Sequence, residues 1–138
     1  MSSTLAPTPT ATPASAPSDG TYYIYAQGLG VFLEFADGTE GTNLTTWKFS
    51  GNQSQQWQVA GNSSTSYTFQ NVLYQNYFFF TSSAAYLAAS LTPYNWYIEG
   101  FGGGYIFAPD PSFNSFWNVD DGFTNDNNPI ILYGGASP

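Results

Sequence analysis

Two tryptophans about 40 residues apart, Trp57 in Gln55-Gln56-Trp57 and Trp96 in Tyr94-Asn95-Trp96, constrain this chain more than any other feature. Each closes a series of short aromatic runs separated by Gly, Asn, Asp and Ser. A strand-built unit of that length cannot bury its own apolar face, so copies have to pack against one another. Alternation with period two places strands at 21–26, 31–35, 43–49 and 56–60 in the first unit. The second has them at 67–72, 77–81, 85–89 and 96–99, and the third at 104–108, 116–119 and 130–133. Turns fall at Ala36-Asp37-Gly38 and Asp120-Asp121-Gly122, where Asp and Gly suit the backbone. Four short strands per unit, about three units and no helical stripe predict an all-β, threefold barrel-and-cap architecture.

A chain of 138 residues has room for one such domain. Residues 1–18 read as a disordered tail or linker, because Pro, Thr, Ala and Ser without aromatics cannot offset the entropy of ordering. The folded domain is expected over 19–138.

Composition removes several function classes. Nine acids face a single base, Lys48, giving a net charge of −8. Nucleic-acid affinity comes from Lys and Arg releasing counterions, so nucleic acid is excluded, and anionic membranes are disfavoured. No run approaches the roughly 20 apolar residues of a membrane span, so no membrane insertion is expected. The chain lacks Cys and His, which removes disulfides, thiolate or imidazole metal sites and histidine-based triads. Glu34, Glu40, Glu99 and the Asp120–Asp121 pair supply carboxylates for glycoside hydrolysis, yet nothing in the pattern marks a buried acid in a deep cleft. The oxygen-rich stretch 120–128 departs from the spacing of a twelve-residue calcium loop. The expectation is a non-enzymatic protein with no cofactor and no metal. Met1-Ser2-Ser3-Thr4-Leu5 has neither the basic start nor the apolar stretch of a signal peptide. The location expected is cytoplasmic or non-classically secreted, or extracellular if a leader has been removed.

The first and third units share more than length. Phe32-Leu33-Glu34-Phe35-Ala36-Asp37-Gly38 followed by Asn43-Leu44-Thr45-Thr46-Trp47 matches Phe116-Trp117-Asn118-Val119-Asp120-Asp121-Gly122 followed by Asn128-Pro129-Ile130-Ile131-Leu132-Tyr133. With Gln55-Gln56-Trp57, this resembles the ricin-B-like β-trefoil lectins, especially the small cysteine-free fungal ones, over about residues 20–138. That family carries a Gln-x-Trp in each repeat. Here one is clean, Tyr94-Asn95-Trp96 is degenerate, and the third is missing because its position falls just past Pro138. The resemblance implies that the absent strand would pair with the first and close the barrel, leaving 21–26 with an unpaired aromatic edge. A truncated chain, a strand borrowed from a neighbour and an open barrel all remain open. The Pro-rich tail reads as a poor substitute, since proline cannot donate to a ladder. Marginal stability or self-association through that edge is expected.

Neutral sugars are held by an aromatic ring on their apolar face, with a carboxylate and amides on the hydroxyls. The resemblance implies such a site in each repeat. In the first it assigns Glu34 as the acid, Trp47 as the ring and Ser54-Gln55 in the amide positions. In the third it assigns Asn118 in the acid position and Tyr133 as the ring, with Asp120, Asp121, Asp126 and Asn128 along the turn. The second repeat has Phe78-Phe79-Phe80 and Ala84-Ala85 there and reads as structural. Trp57 and Trp96 read as core. The function implied is recognition of glycans or glycoproteins, with galactose-type or N-acetylated amino sugars as ligands. A β-trefoil protease inhibitor acting through exposed loops is the alternative reading, and a binding module cut from a larger secreted enzyme is a third context for the same chemistry.

Overall fold

The computed structural model describes residues 3–4, 17–61, 65–80 and 86–134. In chain order the strands are β1 (Ser3–Thr4), β2 (Gly20–Tyr23), β3 (Tyr25–Ala26), β4 (Phe32–Glu34), β5 (Thr45–Trp47), β6 (Gln56–Gly61), β7 (Ser66–Asn71), β8 (Tyr77–Phe80), β9 (Leu87–Ser90), β10 (Trp96–Phe101), β11 (Gly104–Ala108), β12 (Ser115–Val119) and β13 (Asn128–Gly134). Among the described residues the helical content is two short 3-10 turns, Gln53–Gln55 and Asp120–Gly122. The run expected as one strand over 21–26 is divided at Ile24, and its two halves take different partners: β2 pairs with β6, and β3 pairs with β4 and β1. Thr81 and Ala85 lie outside the described residues.

Hairpins β4–β5, β8–β9 and β12–β13 are the same object three times. Phe32 faces Trp47, Tyr77 faces Ser90 and Phe116 faces Tyr133. The hairpins meet at Leu44, Leu87 and Ile130, all fully buried. There the Leu44 N–H donates to the Leu87 carbonyl at 2.8 Å, and the Ile130 N–H to the Leu44 carbonyl at 3.0 Å. Beneath this cap, Phe78 is ringed by Phe35, Trp57, Phe69, Trp96 and Trp117 with centroids 5.2 to 6.4 Å away. Such tilted and edge-on aromatic packing adds to the area term that drives burial. Trp57 and Trp96 are core residues, as expected.

The barrel closes in a way that corrects the expected gap. β6, β7, β10 and β11 follow one another around the wall, and β1 fills the place between β11 and β3. Trp57 lies opposite Tyr22 and Asn71, and Trp96 lies opposite Tyr67. Ser3 lies opposite Tyr105 and Ala26. Asn71 follows Tyr67 by four residues and Ala26 follows Tyr22 by four, so Ser3 stands at the ladder position held by Trp57 and Trp96. β1 therefore occupies the ladder position that the resemblance assigned to a strand after β13. Tyr25–Ala26 is paired with β1 and β4, not an open edge. The objection from proline does not reach Ser3 and Thr4, which keep their backbone N–H groups. Pro17 and Ser18, assigned to the tail, are also tied to the barrel. The Tyr67 hydroxyl donates to the Pro17 carbonyl at 2.9 Å, and that of Tyr22 to the Ser18 carbonyl at 2.7 Å. Residues 5–16 of the expected disordered segment lie outside the described residues.

Candidate functional site

The hairpin register decides which side chains can meet. Residues directly opposite, and those two apart on one face, stand within side-chain reach. In the third unit Asn118 faces Ile131 while Tyr133 faces Phe116, so the amide and the phenol ring sit diagonally on one face. The turn that follows β12 brings two carboxylates to the same place. Asp121 adopts a left-handed backbone (φ 54°) and Gly122 follows at φ 68°, conformations that Asp tolerates and Gly accepts freely. The result is an open cleft of about 270 Å³ lined by Asn118, Val119, Asp120, Asp121, Gly122, Ile131 and Tyr133. Tyr133 is 48% exposed, a ring available for stacking. Four of the residues assigned from the sequence thus converge on one cleft.

Asn128 does not. It is 6% exposed, and its Nδ2 donates to the carbonyls of Asp120 (2.9 Å) and Phe123 (3.3 Å). Its assignment as a ligand contact is corrected: it positions the acidic turn from behind. Asp126 turns toward the first unit, where its Oδ1 accepts the Lys48 N–H at 3.1 Å.

In the first unit Glu34 and Trp47 occupy the positions of Asn118 and Tyr133. Glu34 accepts from Ser54 Oγ through Oε2 and from Gln55 Nε2 through Oε1, both at 2.9 Å. Gln55 Nε2 also reaches the Lys48 carbonyl at 2.7 Å, and its Oε1 accepts the Ser50 N–H at 2.9 Å. Gln55 is 0% exposed, so it too is corrected from ligand contact to brace. The half-buried Trp47 is held by its indole N–H donating to Thr45 Oγ1 at 2.8 Å. A braced carboxylate beside a fixed indole is the ring-plus-acid pair in a more buried form.

The second unit confirms the apolar pattern read in its sequence. Phe79 takes the acid position and Ser90 the ring position. Phe79 packs on Phe80 and Tyr94 with centroids 4.3 and 4.7 Å apart. The turn read at Asp37-Gly38 is a plain turn. Asp37 Oδ1 accepts the Thr39 N–H and the Thr42 hydroxyl, each at 2.8 Å, and these bonds hold its pKa below the usual carboxylate value. Among the described residues no group of three or more Asp or Glu side chains is placed to hold a metal ion. Among the described residues no helix is long and apolar enough to cross a membrane. Ile131 and Gly122 were not assigned to a site from the sequence; their part in the cleft follows from register and backbone conformation.

No protein-family model and no characterised protein sequence matches the chain. Solved structures do. The agglutinin of Rhizoctonia solani superposes with a TM-score of 0.79 at 22% identity, over 92% of this chain and 93% of that one. ThreeFoil, a designed threefold-symmetric protein, gives 0.77 at 20% identity over 87% and 93%. The fold is a β-trefoil. A ricin B-like lectin of Macrolepiota procera, solved in complex with lactose, shares the trefoil with a TM-score of 0.75 at 16% identity, over 90% of this chain and 92% of that chain. The all-β threefold architecture expected from the Gln-x-Trp spacing is the one observed. On the trefoil, the cleft lies on the cap hairpin of the third unit, and the Glu34–Trp47 pair lies at the equivalent place on that of the first.

Proposed function

We propose that this trefoil is a non-enzymatic carbohydrate-binding domain that takes neutral sugars of galactose or N-acetylated amino-sugar type, carried on glycans or glycoproteins. The observation that carries the reading is the third-unit cleft, where the Tyr133 ring, the Asn118 amide and the Asp120 and Asp121 carboxylates line one shallow space. A ring packs on the apolar face of the sugar, and the amide and carboxylates take its hydroxyls. Such a cleft is open and acidic, which suits a neutral polyol and disfavours phosphates and sulfates. Glu34 with Trp47 forms a second, more constrained site of the same kind, braced by Ser54 and Gln55. The lactose bound by the Macrolepiota lectin, a trefoil of similar dimensions, is consistent with a galactose-type ligand.

Retention on galactose and N-acetylglucosamine resins, together with a glycan array, tests the reading. Tyr133→Ala is expected to lose most retention while melting as the parent does, because a half-exposed ring contributes little to the core. Equal retention of Tyr133→Ala, Trp47→Ala and the parent, or no retention of the parent on any sugar, overturns it.

A further inference from the structure

The wall of the barrel carries a polar row that the trefoil does not require. Thr21, Gln58 and Gln70 lie directly opposite one another across β2, β6 and β7. Thr68 stands on the same face beside Gln70, and Asp19 precedes Thr21 by two residues. In the second unit the equivalents of Gln58 and Gln70 are Tyr97 and Ala108, paired at the same ladder position. Internal symmetry thus serves as a control: the fold accepts an aromatic and a methyl where this wall places two amides. The row borders an open cleft of about 440 Å³ whose lining includes Asp19, Gln58, Thr68, Gln70 and Tyr77. Two of its polar groups are fixed from outside. Gln70 Nε2 donates to the Gln75 carbonyl at 3.2 Å, and Asp19 Oδ1 accepts the Gly61 N–H at 2.9 Å.

We propose that this barrel-wall cleft is a second, independent carbohydrate site, one that binds a neutral saccharide through the Gln58–Gln70 amide pair, the Asp19 carboxylate and the Tyr77 ring. Amides on directly opposed residues have Cβ atoms roughly 5 Å apart. Each presents a donor and an acceptor, which is what two neighbouring hydroxyls need. Tyr77 brings a ring to one side of the same space, and Asp19 accepts a hydroxyl with charge-assisted strength. With no base in the cleft and a carboxylate at its rim, the ligand is uncharged. The inference uses the same chemistry as the reading above but shares no residue with the third-unit cleft or the Glu34–Trp47 pair, so either can fail alone.

The test is titration of isotopically labelled full-length protein with galactose, N-acetylglucosamine and glucose, following the side-chain amide resonances of Gln58 and Gln70 beside that of Asn118. The expected result is that one of these sugars shifts the Gln58 and Gln70 signals along its own saturation curve. Gln58→Ala, a change at an exposed strand position, weakens that curve about tenfold, the equivalent of roughly 1.4 kcal/mol, and leaves Asn118 unchanged. Tyr133→Ala has the converse effect. Shifts at Asn118 with none at Gln58 and Gln70 overturn the second site and leave the first standing. Shifts at Gln70 unaffected by Gln58→Ala overturn the amide pair as the recognition element.

Discussion

Replacing Trp57 and, in a separate variant, Trp117 by phenylalanine isolates a single buried hydrogen bond in the core. Both indoles are almost completely buried, at 0% and 1% exposure, and both pack against Phe78 with centroids 5.4 and 5.2 Å away. Each substitution removes the same atoms and leaves a comparable cavity, so the packing loss is common to the pair. The N–H groups differ. Trp57 Nε1 donates to the Leu33 carbonyl at 3.1 Å, whereas Trp117 Nε1 has no partner among the described residues. At position 57 the change removes a net contribution of about 1 kcal/mol and orphans a buried carbonyl. At position 117 it removes a donor that has been desolvated without compensation, a relief of roughly 1–3 kcal/mol. Trp57→Phe is therefore expected to be less stable than Trp117→Phe by about 2 kcal/mol or more. In a domain of this size that is roughly 6 °C in melting temperature. Urea unfolding followed by circular dichroism reads the difference from the midpoints at unchanged slope. Equal losses in the two variants would refute the assignment of the Trp57 bond as a stabilising element distinct from packing.

Asn128→Ala removes the two bonds to the Asp120 and Phe123 carbonyls; a stability loss of about 1–3 kcal/mol and weaker sugar retention than the parent are expected, although Asn128 lines no cleft. Deleting residues 1–5 strips Tyr25–Ala26 of its β1 partner and leaves it paired with β4 alone, so a lower melting temperature and concentration-dependent association are expected in calorimetry and light scattering. Tyr67 and Tyr94 have pKa values raised first by burial. The stability they contribute is complete below the unfolded value of about 10 and is lost as pH rises through the folded values, so unfolding midpoints should fall in the alkaline range and fall less in Tyr67→Phe. Asp37 has the opposite sign: its lowered pKa, set first by the Thr39 N–H and then by the Thr42 hydroxyl, gives stability above the ordinary carboxylate range that is lost as acid protonates it.

The strands were readable because alternation with period two survives in short aromatic runs, and the threefold arrangement followed from two tryptophans at the right separation. The third-unit cleft was readable too, since Asn118 and Tyr133 fall at matching positions of a hairpin whose register is fixed by its buried face. What failed was direction. Gln55 and Asn128 have the right chemistry for a sugar, but their amides are taken up by Glu34, Lys48 and Ser50 in one case and by the backbone of Asp120 and Phe123 in the other. A side chain's partners depend on where its backbone comes to rest, and residue type alone does not record that. Ser3–Thr4 was invisible for a different reason: a ladder is made of main-chain groups, which every residue but proline carries, so two small polar residues leave no mark. The amide row on the barrel wall was likewise hidden, because Gln58 and Gln70 become neighbours only once β6 and β7 are paired.

In this barrel a stave from the front of the chain is seated between β11 and β3. Ser3 must wait on the ribosome until Tyr105 has been made before the seam can be sealed, so this domain completes its topology late, through its most sequence-distant contact.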